Sequence, residues 1–520
     1  MYYKLIIIII ITTLIFGITI FPSVAFSAAP FTKSFMQSSD LKIQTPSQGN
    51  SNGKIVEKSG YIVIMWVDKK LEFENNAGQQ IYYLLDDSGK YHQLFFSDDS
   101  KKLGIFPNVD KEKVLVTGLL RTSESSGLSS IDVQTIKLIE DTKIPIENNS
   151  SDNIGIQTHT PTIPGTFLTG EHITGSQKFV TILCKFGDFT DVTPKSLTYA
   201  EEIMERVDKY WQSTTYNNVN LEGSIVVGWY NMPDPRSSYL NPVFNFPKLI
   251  QDCAGAADDD VFFPDFDGIN MFFNVDIQGN RGFFSIPITA DNIFKFYRLT
   301  MLSLNGWNNQ DIVAHEIGHS FGIPHSSATY GFTYDSNWDV MSHTNTCSDP
   351  DVEFRCEGPH TNSFYKYAKG WIDPSRAYIA TTDANQRIFI ERLENPSLNG
   401  YLTALVPIGN TSKLYVLESR KSIEYDKNEI PNPGVVIHGV DLVTAQDAVA
   451  KVIDNTFNFN ANDRGAVWTP GETFRDNINN ISIKVIKETK TGFWVVINPT
   501  YSYPPPHSSN SYGDNLRYQY

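Results

Sequence analysis

The stretch His315-Glu316-Ile317-Gly318-His319-Ser320-Phe321-Gly322-Ile323-Pro324-His325 decides how this chain is read. His315 and His319 are four apart, so on a helix they share one face, one turn apart. Glu316 lies about 100° round the helix from His315, away from that ligand direction but within reach of a water on a metal ion. Gly322 accepts the left-handed conformation at which a helix stops and reverses. Pro324 stiffens the returning chain and carries His325 back towards the other two imidazoles. Three protein nitrogens plus a water is the pattern of a catalytic zinc site, whereas a structural site would fill all four positions with protein ligands. The competing reading is a helix whose histidines are solvated or packed. It leaves the joint spacing of five residues unexplained.

Around the motif, residues 176–375 alternate strand and helix signals. Residues 179–184 are a continuous apolar run. Leu197, Ala200, Ile203, Met204, Val207, Tyr210 and Trp211 recur at three and four, the period of a helix with one buried face. Residues 224–229 and 268–275 read as further strands, giving an α/β layer with the metal helix packed beneath a sheet. Residues 281–286 read equally well as an exposed sheet edge or as a buried strand.

Two β-rich units flank this region. In 31–142, after a polar arm ending near residue 53, apolar runs at 61–67, 80–85, 91–96, 114–120 and 131–139 suggest five strands. A turn at Asp86-Asp87-Ser88-Gly89 makes a hairpin of the second and third. A small barrel of the OB type fits that count. No residue of this unit stands at catalytic spacing. Residues 143–175 read as a linker rich in Asn, Ser, Thr, Pro and Gly, open to proteolysis. Residues 376–500 return to short strands punctuated by turns, a β-sandwich candidate, and 501–520 read as a disordered tail.

The N-terminus, residues 1–30, reads as an export signal. Lys4 precedes an apolar run with six consecutive isoleucines, and Ser23-Val24-Ala25 ends it with small residues. An uncleaved anchor is the alternative, since the run is near the lower limit for spanning a bilayer. Either way the rest of the chain is expected outside the cytoplasm, secreted or on the cell surface. Four cysteines then suit disulfides, with Cys347–Cys356 the favoured pair and Cys184–Cys253 the other. No cysteine precedes Cys184, so no N-terminal thiolate is present to cap a metal. A net charge of −16 argues against nucleic acid or an anionic membrane surface as partner.

The extended motif resembles that of the metzincin clan of zinc peptidases. Asp339-Val340-Met341-Ser342-His343 is similar to the methionine turn of that clan. Within it, the chain is most similar to gametolysin-like secreted peptidases, through residues 180–186, the helix ending Tyr210-Trp211, residues 362–371 and Leu417-Glu418-Ser419-Arg420. The resemblance implies an α/β (α+β) metzincin-like catalytic domain between the two β units. It implies His315, His319 and His325 as zinc ligands, Glu316 as general base and Met341 as the floor of the site, supported by the Gly322 turn. Some metzincins place a Tyr two residues after the turn methionine, where this chain has His343. That histidine is either a further ligand or hydrogen-bond donor, or a loop-fixing residue.

These readings lead to a secreted zinc endopeptidase acting on protein or peptide substrates, with substrate adding as a strand to a sheet edge. Three alternatives stay open. The β units could make this a surface-binding protein with a secondary protease. The N-terminal unit could be an inhibitory pro-region cut in the linker. Asp258, Asp259, Asp260, Asp265 and Asp267 could bind Ca2+ or form a solvated acidic loop.

Overall fold

The computed structural model describes residues 54–68, 78–96, 111–122, 129–139, 172–330, 334–342, 347–381, 383–397, 400–442, 448–456 and 458–499. The expected signal or anchor (1–30), the polar arm, the linker up to residue 171, the 501–520 tail and His343 lie outside the described residues. Among the described residues no helix is long and apolar enough to cross a membrane.

The five N-terminal strands are β1 (Lys54–Asp68), β2 (Gly78–Asp86), β3 (Tyr91–Phe96), β4 (Lys113–Thr122) and β5 (Ser129–Leu138). They pair in a closed cycle, β1–β2–β3–β5–β4–β1, with the β3–β5 pair parallel and the others antiparallel. Closure is possible because β1 is 15 residues long and serves two neighbours, β4 with its first half and β2 with its second. The alternating residues Val114 and Val116 of β4 turn inward onto Ile62, Leu84, Leu94, Ile131 and Val133. Each such fully buried aliphatic side chain contributes about 1.5–3 kcal/mol.

The central region carries β6 (Gly175–Ser176) and β8 (Val219–Asn220), paired with each other. Its main strands are β7 (Phe179–Lys185), β9 (Ile225–Asn231), β10 (Gly268–Phe273), β11 (Asn280–Ala290) and β12 (Ile293–Leu302). Its longer helices are α1 (Leu197–Thr214), α2 (Phe246–Ala256) and α3 (Gln310–Ser320). Strands β9, β7, β10 and β12 run parallel, and β11 is antiparallel to β12. Both faces of this sheet are covered, as the unbroken apolar run of β7 requires. Phe179 and Leu183 enter the core shared with α1 and α3, while Val180, Ile182 and Cys184 enter the opposite core with α2. Cys184 is bonded to Cys253 of α2, tying sheet to helix, and Cys347 is bonded to Cys356.

Strand β1 does not end at its cycle. Its last four residues, Met65 to Asp68, pair antiparallel with Asn280 to Phe283 of β11. The N-terminal and central strands therefore form one ten-stranded sheet.

Beyond α3 come β13 (His325–Ala328), α4 (Ser363–Ala368), β14 (Ala377–Ile379), β15 (Gln386–Glu391), β16 (Thr403–Pro407), β17 (Lys413–Arg420) and β18 (Gly434–Asp441). They are followed by β19 (Ala448–Val452), β20 (Thr473–Asp476), β21 (Ile481–Thr489) and β22 (Gly492–Pro499). The order β13-β19-β18-β17-β16-β14 makes a six-stranded sheet and β15-β22-β21-β20 a four-stranded one. The two share a core that includes Ile390, Val406, Leu417, Ile437, Ile483 and Val495. The strand that begins with His325 is thus an edge of the C-terminal sheet, paired with β19.

Candidate metal centre

Helix α3 is buried on almost every side, so its histidines face protein rather than solvent. Two of its first amides are satisfied by the loop that carries the second disulfide. Gln310 donates its N–H to the Phe354 carbonyl at 3.0 Å and Asp311 to that of Cys356 at 3.1 Å. At the other end the Gly322 N–H donates to the His319 carbonyl and the Ile323 N–H to that of Gly318. Gly322 has φ +74°, and a Cβ there would lie 2.8 Å from the Phe284 ring. The reversal therefore needs glycine for backbone and for space. It delivers His325 to the start of β13.

The structure brings together all four residues that the spacing singles out. The Nε2 atoms of His315 and His319 are 3.0 Å apart, and those of His319 and His325 also 3.0 Å. The opposite ring nitrogens are committed. Nδ1 of His315 donates to the Val340 carbonyl at 2.7 Å, and Nδ1 of His319 to that of Ile323 at 2.8 Å. A neutral imidazole whose Nδ1 carries the proton presents a bare lone pair at Nε2. Lone pairs meeting at this distance repel unless a cation lies between them. The donor set, spacing and second-sphere carbonyls fit a zinc ion. Burial, reinforced by the charges of His325 and His315, brings the His319 pKa down to about 4, so it is neutral near pH 7.

Glu316 is fully buried, with the Asp68 carboxylate beside it. Burial, then the Asp68 carboxylate, push its pKa well above the usual range, with the Arg281 guanidinium pulling the other way. A buried carboxyl group beside the nitrogens, with a raised pKa, suits proton exchange with a water or leaving group.

Met341 is fully buried beneath α3. A Cβ on Gly318 would meet its sulfur at 2.4 Å, so the glycine lets the methionine lie directly against the helix. Neighbouring groups fix this turn. Asp339 accepts from the Met341 N–H at 3.0 Å and from Thr361 Oγ1 at 2.9 Å, and also from the Asn362 amide. Asn362 caps α4, from which the Tyr365 hydroxyl donates to the His325 carbonyl at 2.6 Å. Arg420, wholly buried on β17, donates to the Trp338 carbonyl and pairs with Glu394, Glu418 and Asp426. The C-terminal sheet therefore holds both the floor and the third histidine.

One residue at the centre is not foreshadowed by the motif. Asp68, the last residue of β1, places carboxylate oxygens 2.8 Å from His325 Nε2, 3.2 Å from His315 Nε2 and 3.5 Å from His319 Nε2. The four ligand atoms lie within 4.8 Å of one another. Burial pushes the Asp68 carboxyl up, but His325 and His315 hold it well below the usual carboxylate range. Trp66 stacks on His319, ring centroids 5.1 Å apart, and the Tyr334 hydroxyl donates to Asp68. The only sequence trace of this arrangement is an acidic residue closing the apolar run of β1.

Two other expectations have structural answers. Residues 281–286 are buried in β11, and 281–283 have a paired strand on each side. The acidic run at 258–267 does not converge. Asp260 accepts from the Tyr230 hydroxyl and Asp267 from the Lys178 N–H. Among the described residues the other group with ligand-like proximity is Cys347, Cys356 and Glu429, whose cysteines are spent in a disulfide.

The sequence matches no protein-family model and no curated protein. Among solved structures, a catalytically inactive OgpA from Akkermansia muciniphila, in complex with an O-glycopeptide (glycodrosocin) substrate, is similar to 55% of this chain over 90% of its own length. The identity is 10% and the TM-score 0.23. A likeness that loose carries neither fold nor activity.

Proposed function

We propose that this chain is a secreted zinc-dependent endopeptidase. The convergence of the Nε2 atoms of His315, His319 and His325 beside the buried carboxyl group of Glu316 carries the reading. His315, His319 and His325 would hold the ion, which when bound supplies Lewis acidity to a substrate carbonyl and to a water. Glu316 would then take a proton from the attacking water and return it to the leaving amine. Met341 and the Val340 and Ile323 carbonyls fix ring orientation. The two disulfides agree with an exported protein. The expected substrate is an extended peptide segment.

Glu316→Ala tests this directly. Zinc content per chain is expected to match the parent's, while peptide cleavage falls by at least about a thousandfold, as when a single catalytic group is removed from a site that still binds substrate. Parental turnover in that variant rules out the mechanism.

A further inference from the structure

Strands β15, β22, β21 and β20 turn one face into the C-terminal core and the other to solvent. Ile388, Ile390, Phe474, Ile483 and Val495 lie in the core, so alternation places Arg387, Phe389, Arg475, Lys484, Trp494 and Val496 on the outer face. Every lysine and arginine of these strands, Arg387, Arg475, Lys484 and Lys487, is exposed. Among the described residues none of them pairs with a carboxylate. The carboxylates of the same strands are already used. Glu391 pairs with Arg376 at 2.7 Å, Asp476 accepts from the Tyr415 hydroxyl at 2.9 Å, and Glu488 pairs with Lys421. In a chain of net charge −16 this face is therefore locally cationic. It also carries an aromatic row. Phe389, Trp494 and Lys487 stand side by side across three strands, Lys487 brought there by a shift of register after Val485. The Phe389 and Trp494 rings are half-buried with centroids 5.3 Å apart, and the Arg387 guanidinium lies 5.0 Å from the Trp494 ring centroid.

We propose that this outer face binds an acidic polysaccharide, a chain of sugar rings with an anionic group on alternate sugars. The apolar C–H face of a sugar ring packs on the Trp494 and Phe389 rings. The Arg387 guanidinium, held against Trp494, offers its planar fork to a carboxylate or sulfate beside that ring. Arg387 and Lys484 stand in one cross-strand row with Val496 between them, two strand spacings or about 10 Å apart. A disaccharide within an extended glycan covers a similar length, so successive anions of such a chain meet successive cations. The phosphates of a nucleic acid follow at about 3.4 Å along each strand, and cations this far apart leave most of them unmatched. The face belongs to the four-stranded sheet, whereas His325 starts a strand of the six-stranded one. The proposal therefore holds whether or not the chain cleaves peptides, and it gives an exported protein a means of retention on an acidic glycan.

The test is titration calorimetry on the full chain, as parent, as the double variant Lys484→Gln with Lys487→Gln, and as Trp494→Ala. The probes are oligosaccharides of hyaluronan, with a carboxylate on alternate sugars, and of chondroitin sulfate, which adds a sulfate. Polyglutamate, a single-stranded DNA oligonucleotide and phosphatidylserine vesicles supply negative charge without sugar rings on a matching repeat. The parent is expected to bind at least one of the two glycans more tightly than any of these three, and less tightly as salt is raised. The double variant, whose substituted side chains are exposed and leave the melting temperature unchanged, is expected to bind at least about tenfold more weakly and with a shallower salt dependence. Trp494→Ala is expected to lose a similar factor while keeping the parent's salt dependence. A parent that binds neither glycan overturns the proposal. So does equal binding of polyglutamate, DNA or vesicles, which means attraction by charge alone, and so does a double variant with the parent's glycan affinity.

Discussion

Each ligand is aimed by a hydrogen bond or a backbone constraint that one substitution can disturb. The sharpest case is Gly322. Its positive φ costs an L-residue about 1–2 kcal/mol, and a new Cβ would also press on Phe284. Gly322→Ala is therefore expected to lower stability by about 1–3 kcal/mol. It is also expected to weaken zinc binding through displacement of His325, read by chelator competition at a temperature where the variant is folded. A variant with parental zinc affinity would mean that the reversal does not aim the ligand. At this scale the sequence was informative where function is local. Five residues within eleven carry the site, because helix period and one turn fix their geometry. Asp68 was illegible for the opposite reason. It stands 257 residues from His325, and nothing in a lone aspartate after a valine shows what lies opposite it. Asp339 and Tyr365 stand in stretches that the resemblance marks, but their hydrogen-bond partners come from other elements and are not legible there.

Elements here depend on partners far along the chain. Strand β13 starts with His325 but owes its position to β19, and the turn beneath the site leans on β17 through Arg420. The cluster around Arg420 gives a test. Burial pushes the Glu418 carboxyl up, but the charges of His438 and Arg420, with hydrogen bonds from His438 and the Ser363 N–H, bring it from 4.5 down to about 2. Between those values the unfolded chain binds more protons than the folded one, so stability rises with pH across that window. The contribution is full above about pH 4.5 and is lost as pH falls towards 2. Glu418→Gln is expected to be less stable than the parent at pH 7 and to change less in unfolding midpoint between pH 5 and pH 3. Parallel pH profiles in denaturant melts would contradict that role. The apolar runs announced the strands, because burial on both faces leaves a continuous hydrophobic segment. Their partners were not announced. Residues 281–286 read equally as edge or interior, and the strand that decides the matter comes from another unit of the chain.

At the scale of the whole molecule, the three sequence regions are not three separate bodies around a site. The N-terminal strands share a sheet with the central strands, and the C-terminal sheet supplies the edge on which His325 sits. Composition and turn signals mark where strand-rich segments begin and end, yet they cannot show that β1 continues past its own cycle into β11. That continuity places one carboxylate among three imidazoles and makes the coordination sphere of the full chain the quantity to measure. X-ray absorption at the zinc edge of the purified, uncut protein does so. The account expects one zinc per chain with three imidazole nitrogens and one oxygen at roughly 2.0–2.2 Å, and loss of an imidazole in His325→Ala. A sulfur neighbour, a shell of oxygens with fewer than two imidazoles, or no bound zinc would contradict it.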